Sequence, residues 1–359
     1  MTAPRGDVKG IRGPPTLEDV AREAGVSRAL VSLVMRQKPQ VSEQRRARVL
    51  AAAARLGYRP NAMARSLASR RSNTVGVLLN DLHNPFYAEI TDGIEQVARQ
   101  RGYRVLLSTG GRNRAREEAA LEAFLESRVD GLVLVSTLLS EAKISQAAGL
   151  TPVTLVSRTS KSPSVDSVLT DDVHGAELAV DYLIELGHRL IAHIDGGRNP
   201  GSRPRRQGYE RAMEAAGLKA LVVPGDFSES SGAEAAGRLL ALAELPTAVL
   251  TANDMAAAGA IDRITDAGFS VPADISVVGY DNTSLAQMRQ VNLTTVNQPR
   301  VEMGRLAMQA VLERIDGGRT EAVSHVTTPS LVVRGSTGPV PGRVRVGPAG
   351  SRSCPAECE

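Results

Sequence analysis

The sequence predicts a small all-α helix-turn-helix domain followed by a larger α/β domain whose two lobes each contain a parallel sheet. Three observations support this fold class. Charge is divided unevenly along the 359 residues. Apolar residues recur at helical spacing between residues 16 and 57, and strand and helix patterns alternate from residue 74 onward.

The charge distribution separates a basic head from an acidic body. Residues 1–72 hold 15 Lys and Arg against 5 Asp and Glu, a net charge of +10, and since the whole chain carries +4, the remainder carries −6. A basic domain attracts phosphate, whereas an acidic body does not. Aromatic residues make up only 3% of the chain, with no Trp, so stacking platforms for single strands are scarce. We therefore expect duplex DNA to bind one end of the molecule, although a solvated run of charge is the alternative.

The first predicted helix begins at Thr16, with Asp19 at the capping-box position. Its apolar residues share one face. These residues are Leu17, Val20, Ala21 and Ala24. Gly25 and Val26 then form a tight turn.

The second predicted helix is capped by Ser27 and has one face free for a partner. Three residues are expected to point inward, namely Leu30, Val31 and Val34. The residues expected to face a partner are Arg28, Ala29, Ser32, Leu33 and Arg36. A third helix starts at Ser42 and ends at Gly57. Its predicted core residues are Val49, Leu50, Ala53 and Leu56.

Strands alternate with helices in two blocks, which predicts two lobes with a cleft between them. The predicted strands are residues 74–79, 104–108, 131–135, 152–157, 190–194, 220–223, 248–250 and 275–278. The predicted helices are residues 87–101, 116–126, 176–186, 205–216, 233–243 and 255–267. Ligands of open parallel sheets bind beyond the carboxyl ends of the strands, so the segments that follow these strands are candidate binding segments.

Polar side chains are concentrated in three such segments, residues 80–87, 251–254 and 279–282. Asp, Asn and Arg side chains offer directional hydrogen bonds, and Phe86, Tyr87 or Phe227 could cover the C–H face of a sugar ring. The segments therefore predict a site for a small polyhydroxylated ligand. The alternative is that residues such as Asn253 or Asp254 only cap the helix that follows.

The sequence contains no recognisable catalytic or cofactor motif. The pairs Gly110-Gly111 and Gly196-Gly197 belong to neither a dinucleotide fingerprint nor a phosphate loop with Lys, and no nucleophile elbow is present. The five His residues lack metal-ligand spacing, and His188 is interpreted as a residue that ends a helix. We therefore expect no enzymatic activity, no cofactor and no metal.

The ends of the chain predict a cytoplasmic protein with two disordered termini. Residues 1–12 contain no apolar stretch typical of a signal peptide, and no apolar run approaches the ~18 residues of a membrane span. Residues 1–15 and 338–359 are rich in Pro and Gly, which predicts disorder. Cys354 and Cys358 lie in the second of these segments, and a two-thiol metal clip there has no His or further Cys beside it.

Five sequence motifs together resemble the LacI/GalR family of bacterial transcription regulators, over the span from Thr16 to about Thr337. The motifs are Tyr58-Arg59-Pro60-Asn61 with the later Leu67, Asn84-Pro85-Phe86-Tyr87, Leu186-Gly187-His188-Arg189, Asn253-Asp254 and Val278-Gly279-Tyr280-Asp281. The resemblance implies a two-lobed domain like the periplasmic sugar-binding proteins behind the DNA-binding domain.

The resemblance also implies domain boundaries. The helix-turn-helix domain spans residues 16–59, and a hinge helix with its linker spans residues 60–73. The effector-binding and dimerisation domain spans residues 74–337. Its lobes are residues 74–170 with 298–326, and residues 171–297 with 327–337.

In this family the second helix enters the major groove, so the resemblance implies DNA contacts near its start, from Ser27, Arg28, Ala29, Ser32 and Arg36. Arg28 has the geometry to read guanine bidentately, whereas Ala29 offers only apolar contact, for instance to a thymine methyl. The implied hinge helix starts at Asn61, where Ala64 allows two hinge helices to approach and Leu67 wedges into the minor groove.

For the effector, the resemblance points to the cleft. The implied residues are Asp81, Phe86, Arg205, Asn253 and Asp281, to which the sequence itself adds Phe227 as a possible cover for a sugar ring. One departure is Ser157, which stands where many sugar-binding members have Asp. A carboxylate that would accept two sugar hydroxyls is therefore missing, which speaks against an ordinary hexose.

The function expected from the sequence is that of a homodimeric regulator, most often a repressor in this family, which binds a palindromic operator and responds to a small polar effector such as a sugar. A solute-binding protein is one alternative, but it would require an export signal and would not carry a +10 head. An enzyme with a regulatory DNA-binding head is another, but it would require a nucleophile, metal or cofactor motif.

Overall fold

The computed structural model describes residues 15–35, 39–58 and 71–340. The chain divides into two compact units, one up to Ser72 and the other from Asn73. Several sequence predictions lie outside the described residues. They concern Arg36, the hinge residues Asn61, Ala64 and Leu67, residues 1–14 and the segment that contains Cys354 and Cys358.

The described residues of the first unit form three helices, α1 (Leu17–Ala24), α2 (Arg28–Met35) and α3 (Glu43–Arg55). The predicted capping box at α1 is present, because the Thr16 hydroxyl accepts from the Asp19 amide at 3.3 Å while the Asp19 carboxylate accepts from the Thr16 amide at 2.9 Å. Gly25 ends α1 with a φ of 62°, a left-handed conformation that favours glycine.

The core of this unit differs from the prediction at two leucines. The prediction that Leu50 closes the core is wrong, because 49% of this residue is exposed. Val49, Ala52 and Ala53 form the buried stripe of α3 instead, and Leu50 lies about 100° around the helix from Val49. Leu33 packs against the core from its edge and is half-buried, so it does not belong to the free face of α2.

Residues 73–340, the described part of the second unit, form twelve strands. They are β1 (Thr74–Leu79), β2 (Arg104–Thr109), β3 (Gly131–Val135), β4 (Val153–Val156), β5 (Val165–Thr170), β6 (Ile191–Ile194), β7 (Leu221–Val223), β8 (Ala248–Thr251), β9 (Ser276–Asp281), β10 (Thr294–Asn297), β11 (Ser324–Thr327) and β12 (Ser330–Val332). One sheet has the order β11-β5-β4-β3-β1-β2 and the other β12-β10-β9-β8-β6-β7. Every pairing is parallel except that of β10 with β12. The predicted two-lobed architecture with parallel sheets is confirmed.

Nine helices in the same described part of the chain cover these sheets. They are α4 (Pro85–Gln100), α5 (Arg114–Glu126), α6 (Glu141–Ala148), α7 (Asp172–Glu185), α8 (Ser202–Ala215), α9 (Glu229–Leu240), α10 (Asp254–Asp266), α11 (Ser284–Gln287) and α12 (Arg300–Ile315). The sequence prediction placed α4, α5, α7, α8, α9 and α10 within a few residues of these bounds but did not assign α6, α11 or α12. It also ended β9 too early, because this strand continues through Asp281.

The chain passes between the two lobes three times, after β5, between β10 and α12, and between β11 and β12. Hydrogen bonds join these crossings. The Thr170 hydroxyl donates to Oε1 of Gln298 at 2.8 Å and lies 3.2 Å from the Thr327 hydroxyl. β11 runs through Thr327, the residue that the sequence analysis assigned to the other lobe.

Residues 338–340 are held against the second lobe, although the sequence analysis placed them in a disordered tail. The Gly338 amide donates to the Ser276 hydroxyl at 3.1 Å, and the Val340 amide donates to the Leu186 carbonyl at 3.1 Å. The prediction of disorder is therefore wrong for these first residues. Backbone hydrogen bonds fix them, which the Gly and Pro content of the segment could not reveal.

Two glycines allow α4 and α12 to pack backbone against backbone. A Cβ atom at Gly93 would overlap the Val301 carbonyl, and one at Gly304 would overlap the Ile90 carbonyl. We expect Gly304→Ala to destabilise the second unit by about 1–3 kcal/mol or more, because the helices must separate to admit the methyl group. Urea unfolding measures the loss. Gln309→Ala, on the exposed side of the same helix, is the control, and equal unfolding midpoints for the two variants would contradict the packing argument.

Candidate functional site

The start of α2 presents the residues that the sequence assigned to DNA. The Ser27 hydroxyl accepts a hydrogen bond from the Leu30 amide at 3.2 Å, so this side chain caps the helix. Arg28 and Ala29 are exposed, whereas Ser32 is half-buried. Of the four, Ser27 and Arg28 are exposed side chains with hydrogen-bond donors, and the Arg28 guanidinium can offer two donors at once to one base.

Two contacts attach α3 to α1 and make a rigid support beneath α2. The Arg48 guanidinium donates to the Ala24 carbonyl at 2.7 Å. Arg55 and Glu23 form an ion pair at 3.0 Å. Both contacts are at the last two residues of α1, next to the turn that leads into α2.

All six residues that the sequence proposed for an effector line one cavity between the lobes, which we call the inner cavity. They are Asp81, Phe86, Arg205, Phe227, Asn253 and Asp281. The space between the walls of the cavity, together with its opening to solvent, is about 510 Å³. Parallel strands explain this convergence, because their carboxyl ends meet at one edge of each sheet and the two edges face each other across the cleft.

Arg205 is the cation at the floor of the inner cavity, and it is almost fully buried, with 4% exposure. Its Nε donates to Asp172 at 3.0 Å, and its Nη1 lies 3.4 Å from Asp281. The guanidinium also lies 3.8 Å from the ring centre of Tyr280. Burial alone would lower the pKa of Arg205, but the two carboxylates raise it above its ordinary value. The cation is therefore permanent and fixed in place.

Asp281 connects the cavity to the crossings between the lobes. It ends β9 with a φ of 109°, a conformation rare for a residue other than glycine. Its Oδ1 accepts from Nε2 of Gln298 at 2.6 Å, and Gln298 in turn accepts from Thr170. Burial raises the pKa of Asp281 to about 7. A ligand that hydrogen-bonds Asp281 would therefore act on a residue that is hydrogen-bonded to the crossings between the two lobes.

Asn253 caps α10, which is the alternative role that the sequence analysis left open for it. Its Oδ1 accepts from the Ala256 amide at 2.9 Å, and its Nδ2 donates to the Phe227 carbonyl at 3.1 Å. Asp254 has no exposure and accepts hydrogen bonds from Thr283 and Thr295. Both side chains thus shape the cavity by holding backbone, although Asn253 also lines it.

Aromatic rings form an apolar wall of the cavity. Phe86 and Tyr87 stand edge to face with ring centres 5.3 Å apart at the start of α4. This helix is capped by Asn84, whose side chain accepts from the Phe86 amide at 2.9 Å. From the other lobe, Phe227 reaches the cavity with its ring 5.5 Å from the Arg205 guanidinium. The wall supplies the flat apolar surface that a sugar ring covers.

Two buried oxygens at the cavity have no hydrogen-bond partner among the described residues, Oδ1 of Asn80 and Oγ of Ser157. The amide nitrogen of Asn80 is engaged, because it donates to the Ser136 carbonyl at 3.0 Å. An unsatisfied buried acceptor is costly unless a ligand or water reaches it. Asp81 differs, because its carboxylate already accepts from the amide of His83 at 2.9 Å.

Arg112 and Asp226, which the sequence analysis did not single out, link the two lobes across the cavity mouth. Their side chains form an ion pair at 2.8 Å. Partial burial acts to raise the pKa of Asp226. Hydrogen bonds from Ser228 and Ser231 and the positive charge of Arg112 outweigh this effect and lower the pKa to about 2. Both residues lie beyond the carboxyl ends of strands, β2 and β7, so the same strand-end argument could have identified them.

The buried histidines belong to the scaffold of the second lobe. His188 follows α7, as predicted, but it is also fully buried and bridges the Thr247 hydroxyl at 2.9 Å and the Gly338 carbonyl at 3.0 Å. His193 stacks on Tyr209, and burial lowers its pKa to about 4. Within the described ranges, His, Cys, Asp and Glu side chains form no cluster of three or more with metal-binding geometry.

Family models match both parts of the chain. The model for bacterial regulatory proteins of the lacI family matches residues 16–61, and the model for a periplasmic binding protein-like domain matches residues 180–337. Catabolite control protein A of Priestia megaterium is 39% identical over 300 residues, which cover 82% of this chain and 90% of that protein. The chain belongs to the lacI family of bacterial regulatory proteins. It is a DNA-binding transcription regulator.

Solved structures of lacI-family proteins have the same fold. The lac repressor dimer bound to operator and the anti-inducer ONPF is 31% identical, with a TM-score of 0.81 and coverage of 91% of this chain and 100% of that one. The complex of the transcriptional regulator CelR with cellobiose is 35% identical, with a TM-score of 0.69 and coverage of 90% and 99%. Separately, none of the described helices of the present chain is both long and apolar enough to span a bilayer.

Proposed function

We propose that this lacI-family protein represses transcription as a homodimer on a palindromic operator, and that a small polyhydroxylated ligand in the inner cavity controls its affinity for DNA. The observation that carries the proposal is that all six predicted effector residues line one cavity, with Phe86 on α4, Arg205 on α8 and the other four at or after the ends of strands. Polar groups there alternate with an aromatic wall, a combination that suits a ring with hydroxyl groups.

The proposed control follows from where the cavity lies. Its walls come from both lobes, and Asp281 is hydrogen-bonded through Gln298 to Thr170 at another crossing. A ligand shifts operator affinity only to the extent that it binds two lobe arrangements differently, and DNA must change ligand affinity by the same factor. The ion pair of Arg112 with Asp226 is one interlobe contact that such a ligand would strengthen or break.

The proposed dimer would use surface of the first lobe. β2 is the edge strand of its sheet, and Leu106 and Leu107 on it are 41% and 42% exposed. Leu82, in the segment after β1, is 53% exposed. Exposed leucines on an unpaired strand edge favour pairing with a second copy of the chain. A two-fold dimer would in turn match a palindromic operator.

In the proposed complex, Arg28 reads a base from the exposed start of α2. Arg28→Ala is expected to cost about 1–3 kcal/mol of operator affinity and to relax the sequence preference at one position of each half-site. Binding to a library of operator variants measures both effects. The proposed minor-groove wedge, Leu67, is expected to act instead at the centre of the palindrome.

Arg22→Ala is the matched control, because this exposed arginine of α1 pairs with Asp19 at 3.4 Å and lies outside α2. It should preserve the sequence preference. If Arg28→Ala weakened binding to all sequences equally, Arg28 would be a phosphate contact, and the proposed base reading would be wrong.

A further inference from the structure

A second cavity opens between the lobes beside the inner cavity and shares Ser157, Asn199 and Pro200 with it. We call it the outer cavity. It is the larger of the two cavities, with about 1320 Å³ of space when its opening to solvent is included, against about 510 Å³ for the inner cavity on the same basis. The two cavities are therefore adjoining parts of one cleft, and a ligand larger than a single ring could occupy both.

The outer cavity is distinguished by four arginines, two from each lobe. Arg114 and Arg158 come from the first lobe, and Arg198 and Arg203 from the second. The carboxylates that line it are engaged elsewhere, because Asp172 binds Arg205 at 3.0 Å and Asp171 caps α7 by accepting from the His174 amide at 3.0 Å. The cavity is lined by four cations and two carboxylates.

The first-lobe arginines are held close together by one loop. Nε of Arg114 donates to the Leu138 carbonyl at 2.9 Å, and Nη1 of Arg158 donates to the carbonyls of Thr137 and Leu139 at 2.8 and 2.7 Å. Burial lowers the pKa of Arg158, the carboxylates of Glu141 and Glu117 act to raise it, and the like charge of Arg114 acts to lower it. Glu141 lies 4.0 Å from the Arg158 guanidinium. An anion between Arg114 and Arg158 would relieve the repulsion between these two cations.

The second-lobe arginines have unused donors. Arg198 and Arg203 are exposed, and neither forms an ion pair or hydrogen bond with another residue in the part of the chain that the structure describes. At the junction of the two cavities, the Ser157 hydroxyl is buried, and it too has no hydrogen-bond partner among the described residues. A hydroxyl without a hydrogen-bond partner thus lies between the inner cavity and the arginines.

In the inner cavity, by contrast, the arginines are paired with carboxylates. Of its arginines, Arg112 is paired with Asp226 and Arg205 with Asp281 and Asp172. Asp81 is a further carboxylate on its wall. A ligand that matches the whole cleft therefore carries neutral hydroxyl groups at one end and negative charge at the other.

We infer that the cleft binds a phosphorylated sugar, with the sugar ring in the inner cavity and the phosphate ester among the four arginines of the outer cavity. Guanidinium groups bind phosphate through paired, charge-assisted hydrogen bonds, and a phosphate ester offers more anionic acceptors than a carboxylate does. This inference rests on the proposed effector role of the cleft and specifies its ligand class.

Calorimetric titration of the full chain tests the inference with two matched pairs, ribose with ribose 5-phosphate and glucose with glucose 6-phosphate, and with inorganic phosphate alone. We expect at least one phosphate ester to bind about tenfold or more tightly than its parent sugar, which corresponds to about 1.4 kcal/mol. Arg198→Ala combined with Arg203→Ala should remove that preference. These two side chains are exposed, so the unfolding temperature should stay unchanged.

Arg211→Ala combined with Arg263→Ala is the control, because both residues are exposed outside the two cavities and the charge change is the same. It should keep the preference. The inference is overturned if both parent sugars bind as tightly as their esters, if neither ester binds, if inorganic phosphate binds as tightly as the esters, or if the preference survives loss of Arg198 and Arg203.

Operator binding, measured separately on the same preparations, distinguishes this failure from failure of the proposed function. A neutral sugar that alone changed operator affinity would overturn the phosphate assignment and leave the proposed function standing. A wild-type protein that protected no DNA sequence would contradict the proposed function itself.

Discussion

Arg205→Ala is expected to lower the free energy of unfolding of the second unit by about 3–5 kcal/mol and to abolish the response to an effector. The guanidinium is buried between Asp172 and Asp281, and Nη1 also donates to the Ala252 carbonyl at 2.5 Å. Its removal leaves two buried carboxylates without their shared cation. Urea unfolding followed by circular dichroism measures the first effect, and ligand titration in the presence of operator measures the second.

Arg211→Ala is the control, because this arginine lies on the exposed side of the same helix as Arg205. Surface substitutions away from buried networks usually change stability by less than about 0.5 kcal/mol, so this variant should unfold close to the wild type. Equal losses in the two variants would mean that the buried network around Arg205 does not stabilise the domain.

Operator binding by the Arg205 variant separates the two roles of the residue. The DNA-binding helices form a unit of their own, so operator affinity without effector should stay nearly intact at temperatures where the second unit is folded. An effector response that persisted in a folded Arg205→Ala protein would mean that the effector binds outside the inner cavity.

Much of the binding cavity could be predicted because the carboxyl ends of parallel strands lie together at one edge of a sheet. Asp81 and Asp281 lie 200 positions apart in sequence, yet each follows or ends a buried strand of its sheet. The rule that ligands bind beyond strand ends therefore located them without any contact information. The resemblance to a known family then assigned roles to residues whose capping alternative was equally plausible, such as Asn253.

Contacts between distant segments could not be predicted in this way. The carboxylate of Asp166 is buried within β5. Because a charged residue interrupts the apolar sequence that is typical of a buried strand, the sequence pattern did not predict this strand. The carboxylate is held by Arg319, which lies 153 positions away, at 2.8 and 3.0 Å. Similarly, α12 is buried on several sides and includes Gly304, so it shows no clear amphipathic stripe. Both elements, β5 and α12, are stabilised by contacts with residues that are distant in sequence, namely Arg319 for Asp166 and α4 for Gly304.

The small domain shows the limit of periodicity within a single helix. Apolar spacing correctly predicted Val20, Val31 and Val49 as core residues. It could not decide between Leu50 and Ala52, because a hydrophobicity pattern favours the larger side chain while the narrow space between three short helices accepts alanine.

The affinity of the dimer for its operator is expected to fall about 10³–10⁵-fold between about 50 and 200 mM salt, the change for about 6–10 neutralised phosphates. The physical reason is the +10 charge of residues 1–72, because each phosphate neutralised by Lys or Arg releases a counterion. Fluorescence anisotropy with labelled operator across that salt range gives the slope of log K against log salt, about −0.9 per phosphate. Arg45→Gln, on the exposed side of α3, should reduce the slope if that arginine binds phosphate, whereas Arg211→Gln on the acidic body should leave it unchanged. An affinity that did not depend on salt would show that the basic head does not bind the DNA backbone.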